Sequence, residues 1–214
     1  MSADMIKELR ALTGAGMLDC KKALAETGND VSKAVDWLRA KGISNAAKKA
    51  VRQAVEGLIG TYVHGEGRIA VIVEVNCETD FVSRNPDFQG LVRDIAMHIA
   101  SENPRYVDQS AVPAGDIEAE RQIQIQRAME EGKPQNIAEK MVEGRMRKWF
   151  EEVCLMDQKF IKDDEKTVRD LLTAAVARIG ENIKVRRFAR YEVGEGLEKK
   201  SSDFAAEVAA QAGA

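Results

Sequence analysis

The chain has 214 residues, with 32 Lys and Arg against 35 Asp and Glu and a net charge of −3. This near-neutral total does not suggest a dedicated nucleic-acid-binding protein, although a local basic patch is compatible with it. The three cysteines are far apart, which argues against a disulfide framework or a zinc site. No apolar run reaches the roughly 20 residues that span a bilayer, and no signal pattern opens the chain, so we expect a cytoplasmic protein with no membrane partner.

Residues 1–43 are predicted to form a module of three short helices. Gly14 and Gly16 separate the first two helices, Asp30 is the expected N-cap of the third, and Gly42 is its expected end. Helices this short bury little surface, so the module should be marginal alone or should dock on another surface. The alanine-rich residues 44–56 are predicted to be a separate linker helix.

The next part of the chain, residues 57–196, is predicted to be an α+β core domain. Two β-rich runs, 57–63 and 69–75, flank a glycine-bearing turn and predict a hairpin. Residues 86–102 have helical apolar spacing, and residues 183–193 alternate like a half-exposed strand. The late strand most simply joins the hairpin as a third antiparallel strand, which leaves an open edge that favours a second copy.

Two further helices, within residues 114–156, are predicted to form a helical hairpin that breaks near Pro134. An apolar stripe follows the second of them, with charged residues outside it. The stripe fits an antiparallel coiled-coil arm, and it fits an ordinary core-covering helix pair about equally well. Residues 197–214 are predicted to be a C-terminal module that ends in a short helix.

The sequence contains no recognisable catalytic constellation. Its two histidines, His64 and His98, lie in different predicted elements, and no metal-binding, nucleophile or phosphate-loop motif is present. We therefore expect no catalytic residue, no cofactor and no metal ligand. The sequence therefore fits a binding protein better than an enzyme.

The most informative segment is Thr79, Asp80, Phe81 and Val82, which follows the second strand of the hairpin. A large ring beside an acid in a polar loop is unusual, because Phe favours burial and Asp favours water or a cation. One interpretation is that the pair is pushed into a partner protein. The other is that the ring folds back onto its own core while Asp80 caps the next turn.

Several motifs resemble the elongation factor Ts family. They are residues 12–24 (LTGAGMLDCKKAL), 74–82 (EVNCETDFV), 137–145 (IAEKMVEGR), 190–196 (RYEVGEG) and 203–209 (DFAAEVA), and they occur in order along nearly the whole chain. The resemblance implies a ubiquitin-associated-like N-terminal module and a coiled-coil arm. It also implies guanine-nucleotide exchange on elongation factor Tu, the GTPase that carries aminoacyl-tRNA.

The same resemblance implies roles for individual residues. Phe81 would wedge between helices of the GTPase, and Asp80 would disfavour Mg²⁺ coordination in the partner. Their neighbours Thr79 and Val82 would also contact the partner. The N-terminal module would grip the GTPase through Met17, Leu18 and Lys21. The hairpin would contact it through His64, and the C-terminal helix would dock on it through Phe204. The chain has one copy of the core unit that long members carry twice, which implies a homodimer and a two-plus-two complex with the GTPase.

Two other binding classes remain open. An RNA- or ribosome-associated protein would use the basic residues Lys48, Lys49, Arg52, Arg186 and Arg187, although such charges more often form a solvated face. An adaptor would use the three-helix module to bind ubiquitin-like surfaces. Nothing in the sequence beyond that module supports the adaptor.

Overall fold

The computed structural model describes residues 2–132 and 134–197. In chain order the elements are α1 (Ala3–Thr13), α2 (Met17–Glu26), α3 (Val31–Lys49), β1 (Glu56–His64), β2 (Ile69–Cys77), α4 (Asp80–Ser83), α5 (Pro86–Glu102), α6 (Ala114–Glu130), α7 (Gln135–Val153), β3 (Lys159–Phe160), β4 (Asp163–Thr167), α8 (Val168–Ile179) and β5 (Lys184–Glu192). Single 3₁₀ turns lie at Gln109–Ala111 and Leu155–Asp157. The predicted α+β class is confirmed.

The first three helices pack around a small core of their own. Leu9, Cys20 and Leu24 are fully buried in it. The chain leaves α1 through Gly14, which has a φ of 66°, a backbone conformation that favours glycine. Asp30 caps α3 as expected, because its side chain accepts a hydrogen bond from the Lys33 amide. The three predicted helices are therefore present and packed together, while their status as a separate module, its ubiquitin-associated-like character and its boundary at residue 43 stay predictions.

The predicted end of the third helix at Gly42 is wrong. Helix α3 continues to Lys49, so residues 44–49 belong to it and no separate linker helix covers residues 44–56. Glycine inside a helix costs only about 1 kcal/mol relative to alanine, and here α3 packs against α8. A Cβ at Gly42 would lie 3.3 Å from Ala177 Cβ, so the glycine permits this close approach.

The sheet has the predicted three antiparallel strands, with β2 in the centre and the order β1–β2–β5. Its inner face, carried by Val71, Val73 and Val75, is buried with α5 and α8 in the main core. Gly60 lies where β1 meets α5, since a Cβ there would be 2.3 Å from Val92 Cγ1. The strands β1 and β5 each form an edge of this sheet.

A β-bulge in β5 brings two arginines onto one carboxylate. The pairing register shifts between Glu74 and Val75, which places Arg186 and Arg187 opposite Glu74. Arg186 Nη1 donates to Glu74 Oε1 at 2.8 Å and Arg187 Nε donates to Oε2 at 2.7 Å. These hydrogen bonds from Arg186 and Arg187 lower the pKa of Glu74 to about 2.

Helices α6 and α7 form the predicted hairpin and pack on each other. The predicted stripe is turned away from solvent: Ala138, Val142, Met146 and Val153 are buried and Trp149 is half-buried. A coiled-coil arm over residues 114–156 stays a prediction. The short β3–β4 hairpin was not predicted, because strands of two and five residues with mostly exposed, charged side chains carry little apolar periodicity. No helix in the described part of the chain is long and apolar enough to cross a membrane.

A buried histidine links α5 to the segment after α7. His98 is fully buried, and its Nδ1 accepts a hydrogen bond from the Ile161 amide at 3.4 Å. Its Nε2 therefore carries the proton and donates to Gln158 Oε1 at 3.0 Å. Burial lowers the pKa of His98, an effect opposed by the Gln158 hydrogen bond and the Glu102 charge. A proton on Nδ1 would remove the acceptor of the Ile161 amide.

We expect the free energy of unfolding to fall as the pH drops below about 6.5, the ordinary histidine pKa. In that range His98 is protonated in the unfolded chain but not in the folded chain. The loss of stability levels off once the pH is below the lowered pKa of His98 in the folded chain. Urea unfolding between pH 7.5 and 5 measures the slope. His98→Gln should reduce it and His64→Gln, at an exposed position, should keep it; an unchanged slope in His98→Gln would contradict the assignment.

Candidate protein-binding site at the end of the central strand

The chain turns sharply where β2 leaves the core. Thr79 is the N-cap of α4, and its Oγ1 accepts a hydrogen bond from the Val82 amide at 3.4 Å. Asn85 then caps α5 by accepting from the Asp87 amide, and Pro86 occupies the first turn of that helix. The four residues of α4 are therefore confined between a strand end and a second capped helix.

This turn places two neighbouring apolar side chains on opposite sides. Phe81 is 79% exposed, whereas Val82 is 9% exposed and packs in the main core. The interpretation in which the ring folds back onto its own core is therefore wrong for this chain. Val82 was predicted as a partner contact; its burial makes it an anchor of the turn, and any role in binding stays a prediction.

Asp80 occupies the first turn of α4 rather than the cap position, which belongs to Thr79. Its Oδ2 accepts a hydrogen bond from Arg84 Nη2 at 2.8 Å; the Arg84 side chain is largely solvated and that of Asp80 is about half exposed. An exposed pair of this kind contributes little to stability. Asp80 can therefore exchange Arg84 for another cation or donor at small cost.

A second loop fastens the start of the turn. The Glu181 carboxylate, between α8 and β5, accepts from the Glu78 and Thr79 amides at 3.0 Å each and from Thr79 Oγ1 at 2.7 Å. In return, Glu78 Oε1 accepts from the Asn182 amide at 2.6 Å. Sequence reasoning missed Glu181 because it lies about a hundred residues from its partners and carries no local signal.

The other predicted contact residues that the structure describes lie elsewhere on the surface. Met17, Leu18 and Lys21, at the start of α2, are exposed, and Leu18 is 83% exposed. His64 is exposed at the far end of β1, where its Nδ1 lies 3.2 Å from the Tyr62 hydroxyl. Phe204 lies outside the described residues.

The structure does not bring His64 and the turn together. Glu56 pairs with Cys77 beside the turn, and His64 pairs with Ile69 at the opposite end of the same hairpin. At about 3.3 Å per residue the two ends are roughly 26 Å apart along the strands. A single partner that contacts both must cover the length of the sheet.

The basic residues of the RNA-binding alternative are mostly engaged within the chain. Arg186 and Arg187 bind Glu74, Arg52 lies 3.5 Å from Glu78, and Lys49 Nζ donates to the Val176 carbonyl. Charges already paired with carboxylates attract phosphates less than free ones. Among the described residues, no cluster of histidines, cysteines and acids has metal-binding geometry.

Comparison with known proteins places the chain among the translation elongation factors. The family profile described as Elongation factor TS matches residues 19–195. The Elongation factor Ts of Desulforamulus reducens is 59% identical over 99% of this chain and 97% of its own length. That of Geobacter sulfurreducens is 57% identical over 100% and 99%, and that of Syntrophomonas wolfei 57% over 99% of each. The chain belongs to the elongation factor Ts family, whose members are guanine-nucleotide exchange factors of protein synthesis.

The opposite burial of Phe81 and Val82 predicts opposite effects of truncation on the free protein. Phe81→Ala should change the free energy of unfolding by no more than about 0.5 kcal/mol, as surface substitutions do. Val82→Ala should lower it by about 2 kcal/mol, because it removes buried methyl groups. Urea unfolding of both variants checks this, and a large loss of stability in Phe81→Ala would contradict the exposed position of the ring.

Proposed function

We propose that this chain promotes the release of GDP from elongation factor Tu by inserting Phe81 into the GTPase. The observation that carries the proposal is the 79% exposed ring of Phe81 on a turn that begins at the Thr79 cap and ends just before Asn85 caps α5. A ring held outward by its own backbone loses little freedom on binding, and such aromatic anchors dominate many interfaces. Membership of the elongation factor Ts family supports the identity of the partner.

Exchange of this kind requires binding energy and no catalytic base. A factor shifts the nucleotide equilibrium only if it binds the nucleotide-free GTPase more tightly than the GDP-bound form. By linkage, GDP must then weaken binding of the factor by the same ratio. Phe81 supplies such differential affinity if its pocket opens only when GDP leaves.

Asp80 has a separate role in this proposal. Its carboxylate starts α4 beside Phe81 and is held by one exposed arginine, Arg84. When the ring enters the partner, the carboxylate is carried towards the Mg²⁺ and phosphate site, where its negative charge repels the phosphates of GDP and disturbs the coordination of the Mg²⁺ that they share. The result is weaker retention of Mg²⁺ and of GDP, with no metal bound by this chain.

The remaining surfaces extend the interface in our proposal. The exposed apolar start of α2, with Met17 and Leu18, grips the GTPase domain together with Lys21. His64, at the far end of the sheet, contacts another part of the partner. Phe204 is proposed to dock with the C-terminal segment. This interface is long and divided, which suits a partner of GTPase size.

A fluorescent GDP analogue on elongation factor Tu should dissociate faster when this chain is added at micromolar concentration. Phe81→Ala should weaken binding to the nucleotide-free GTPase by about 2 kcal/mol or more, as loss of an aromatic hot spot does. Asp80→Asn should slow GDP release while largely keeping that affinity. Ile161→Ala, at an exposed position on the β3–β4 turn, is the control and should behave as wild type. No acceleration by the wild type would reject the assignment.

We also propose that the working unit is a homodimer, which would carry two Phe81 turns and bind two GTPases. The support is the outer face of the sheet, where apolar side chains of all three strands are exposed: Ile59, Val63, Ile72 and Tyr191. Exposed apolar side chains grouped on one face favour burial against another surface. A second copy offers a self-complementary one, as two-fold interfaces require.

Light scattering should therefore give a mass near twice the 23.6 kDa of one chain at tens of micromolar. Ile72→Glu, which places a charge on the central strand of the outer face, should return the mass to 23.6 kDa. The matched control is Ile137→Glu on α7, because Ile137 is 44% exposed against 49% for Ile72. A wild-type mass that stays near 23.6 kDa would reject the dimer.

A further inference from the structure

Glu181, in the loop between α8 and β5, binds the start of the turn that carries Phe81, here called the Phe81 turn. Glu181 Oε2 accepts from two consecutive backbone amides, those of Glu78 and Thr79, and its Oε1 accepts from the Thr79 hydroxyl. All three hydrogen bonds are 3.0 Å or shorter and end on an ionised group, which makes them stronger than neutral ones. They act on the two residues that come directly before α4.

We call these three hydrogen bonds to Glu181 the clamp. Thr79 connects the clamp to the N-cap of α4. Its hydroxyl has a single proton, and the 2.7 Å contact directs that proton to Glu181. The lone pairs of the same oxygen are then free to accept from the Val82 amide, which is the cap of α4. Removal of the carboxylate releases the hydroxyl rotor and leaves two backbone amides without their partner.

The clamp also reaches the segment after α3. The neighbouring Asn182 is 3% exposed, and its Nδ2 donates to the Arg52 carbonyl at 2.7 Å while its amide donates to Glu78. Three stretches of chain that are distant in sequence, residues 50–52, 78–79 and 181–182, are thus held by side-chain-to-backbone hydrogen bonds. None of them lies inside a helix or a strand.

We propose that Glu181 is a positioning residue for exchange, which fixes the Thr79 backbone so that α4 presents Phe81 and Asp80 to the partner. This inference rests on the proposed function of the turn. A single helical turn of four residues has no stability of its own, because the cost of starting a helix is spread over too few hydrogen bonds. Its conformation therefore depends on its caps and on the clamp.

A local role is expected because the fold has other supports. The strands beside the clamp are held by their ladder and by the main core, and Glu181 is only half-buried. Loss of the carboxylate should then reduce the fraction of molecules whose turn is ready to bind. The apparent dissociation constant rises in inverse proportion to that fraction.

Amide hydrogen exchange of the free protein tests the positioning without any partner. Glu181→Ala should speed exchange in a peptide that covers residues 79–83 and leave β2 protected, since only the turn loses its restraint. Glu165→Ala, an exposed acid on β4, is the matched control and should change neither region. Unchanged exchange in residues 79–83, or loss of protection throughout the sheet, would overturn the proposal.

Binding to nucleotide-free elongation factor Tu tests whether the positioning matters for function. We expect Glu181→Ala to raise the dissociation constant about tenfold, which corresponds to a competent fraction near one tenth. Glu181→Gln, which keeps the shape but loses the charge, should have an intermediate effect. Thr79→Val should resemble Glu181→Ala, and Thr79→Ser, which keeps the hydroxyl, should restore wild-type binding.

A double-mutant cycle with Phe81 separates this inference from the function on which it rests. If Glu181 acts through the ring, Glu181→Ala should raise the dissociation constant less than threefold in a Phe81→Ala background. If the two residues act independently, the increase should remain about tenfold. A full tenfold effect in that background would overturn the positioning role. If Phe81→Ala alone binds as wild type, the proposed function of the turn fails. The amide hydrogen exchange of the free protein then still tests the clamp by itself.

Discussion

The exit of the central strand from the core is the constraint on which the site depends. Strand β2 is paired on both sides and buried on its inner face, so its direction is set by the sheet and by α5 and α8. Within five residues of its end the chain must bury Val82 and begin a new helix. One capped turn meets both requirements, and its geometry leaves Phe81 in solvent. The exposed ring is therefore a consequence of how its neighbour is buried.

Polar contacts to the backbone hold this turn where apolar packing does not reach it. The Glu181 carboxylate and the Thr79 hydroxyl use strong, directional hydrogen bonds, which fix a backbone without covering its side chains. Apolar packing would have required a partner surface over the turn. The clamp holds the backbone of the turn and leaves the Phe81 side chain uncovered, which suits a site that has to enter another protein.

His98, Cys77 and Cys154 are buried side chains, unlike the exposed His64. His98 is enclosed by satisfied hydrogen bonds, and burial raises the pKa of the Cys77 and Cys154 thiols to about 11. Thiols with such pKa values are poor nucleophiles at neutral pH. In this structure these groups serve the core, and the surface features that support a function are an aromatic ring and apolar side chains.

Sequence by itself determined the order and type of the main elements, because apolar periodicity, capping residues and glycine breaks are local signals. It predicted the hairpin, α5 and the late strand, and it singled out the acid and aromatic pair without deciding whether the ring is exposed. It misjudged Gly42, because only the packing of α3 on Ala177 decides whether a glycine ends a helix or permits a contact. The burial of Val82 and the bonds of Glu181 to Thr79 were likewise decided by tertiary structure. Contacts between residues far apart in sequence leave no periodic trace in it, so only the folded chain brings them together.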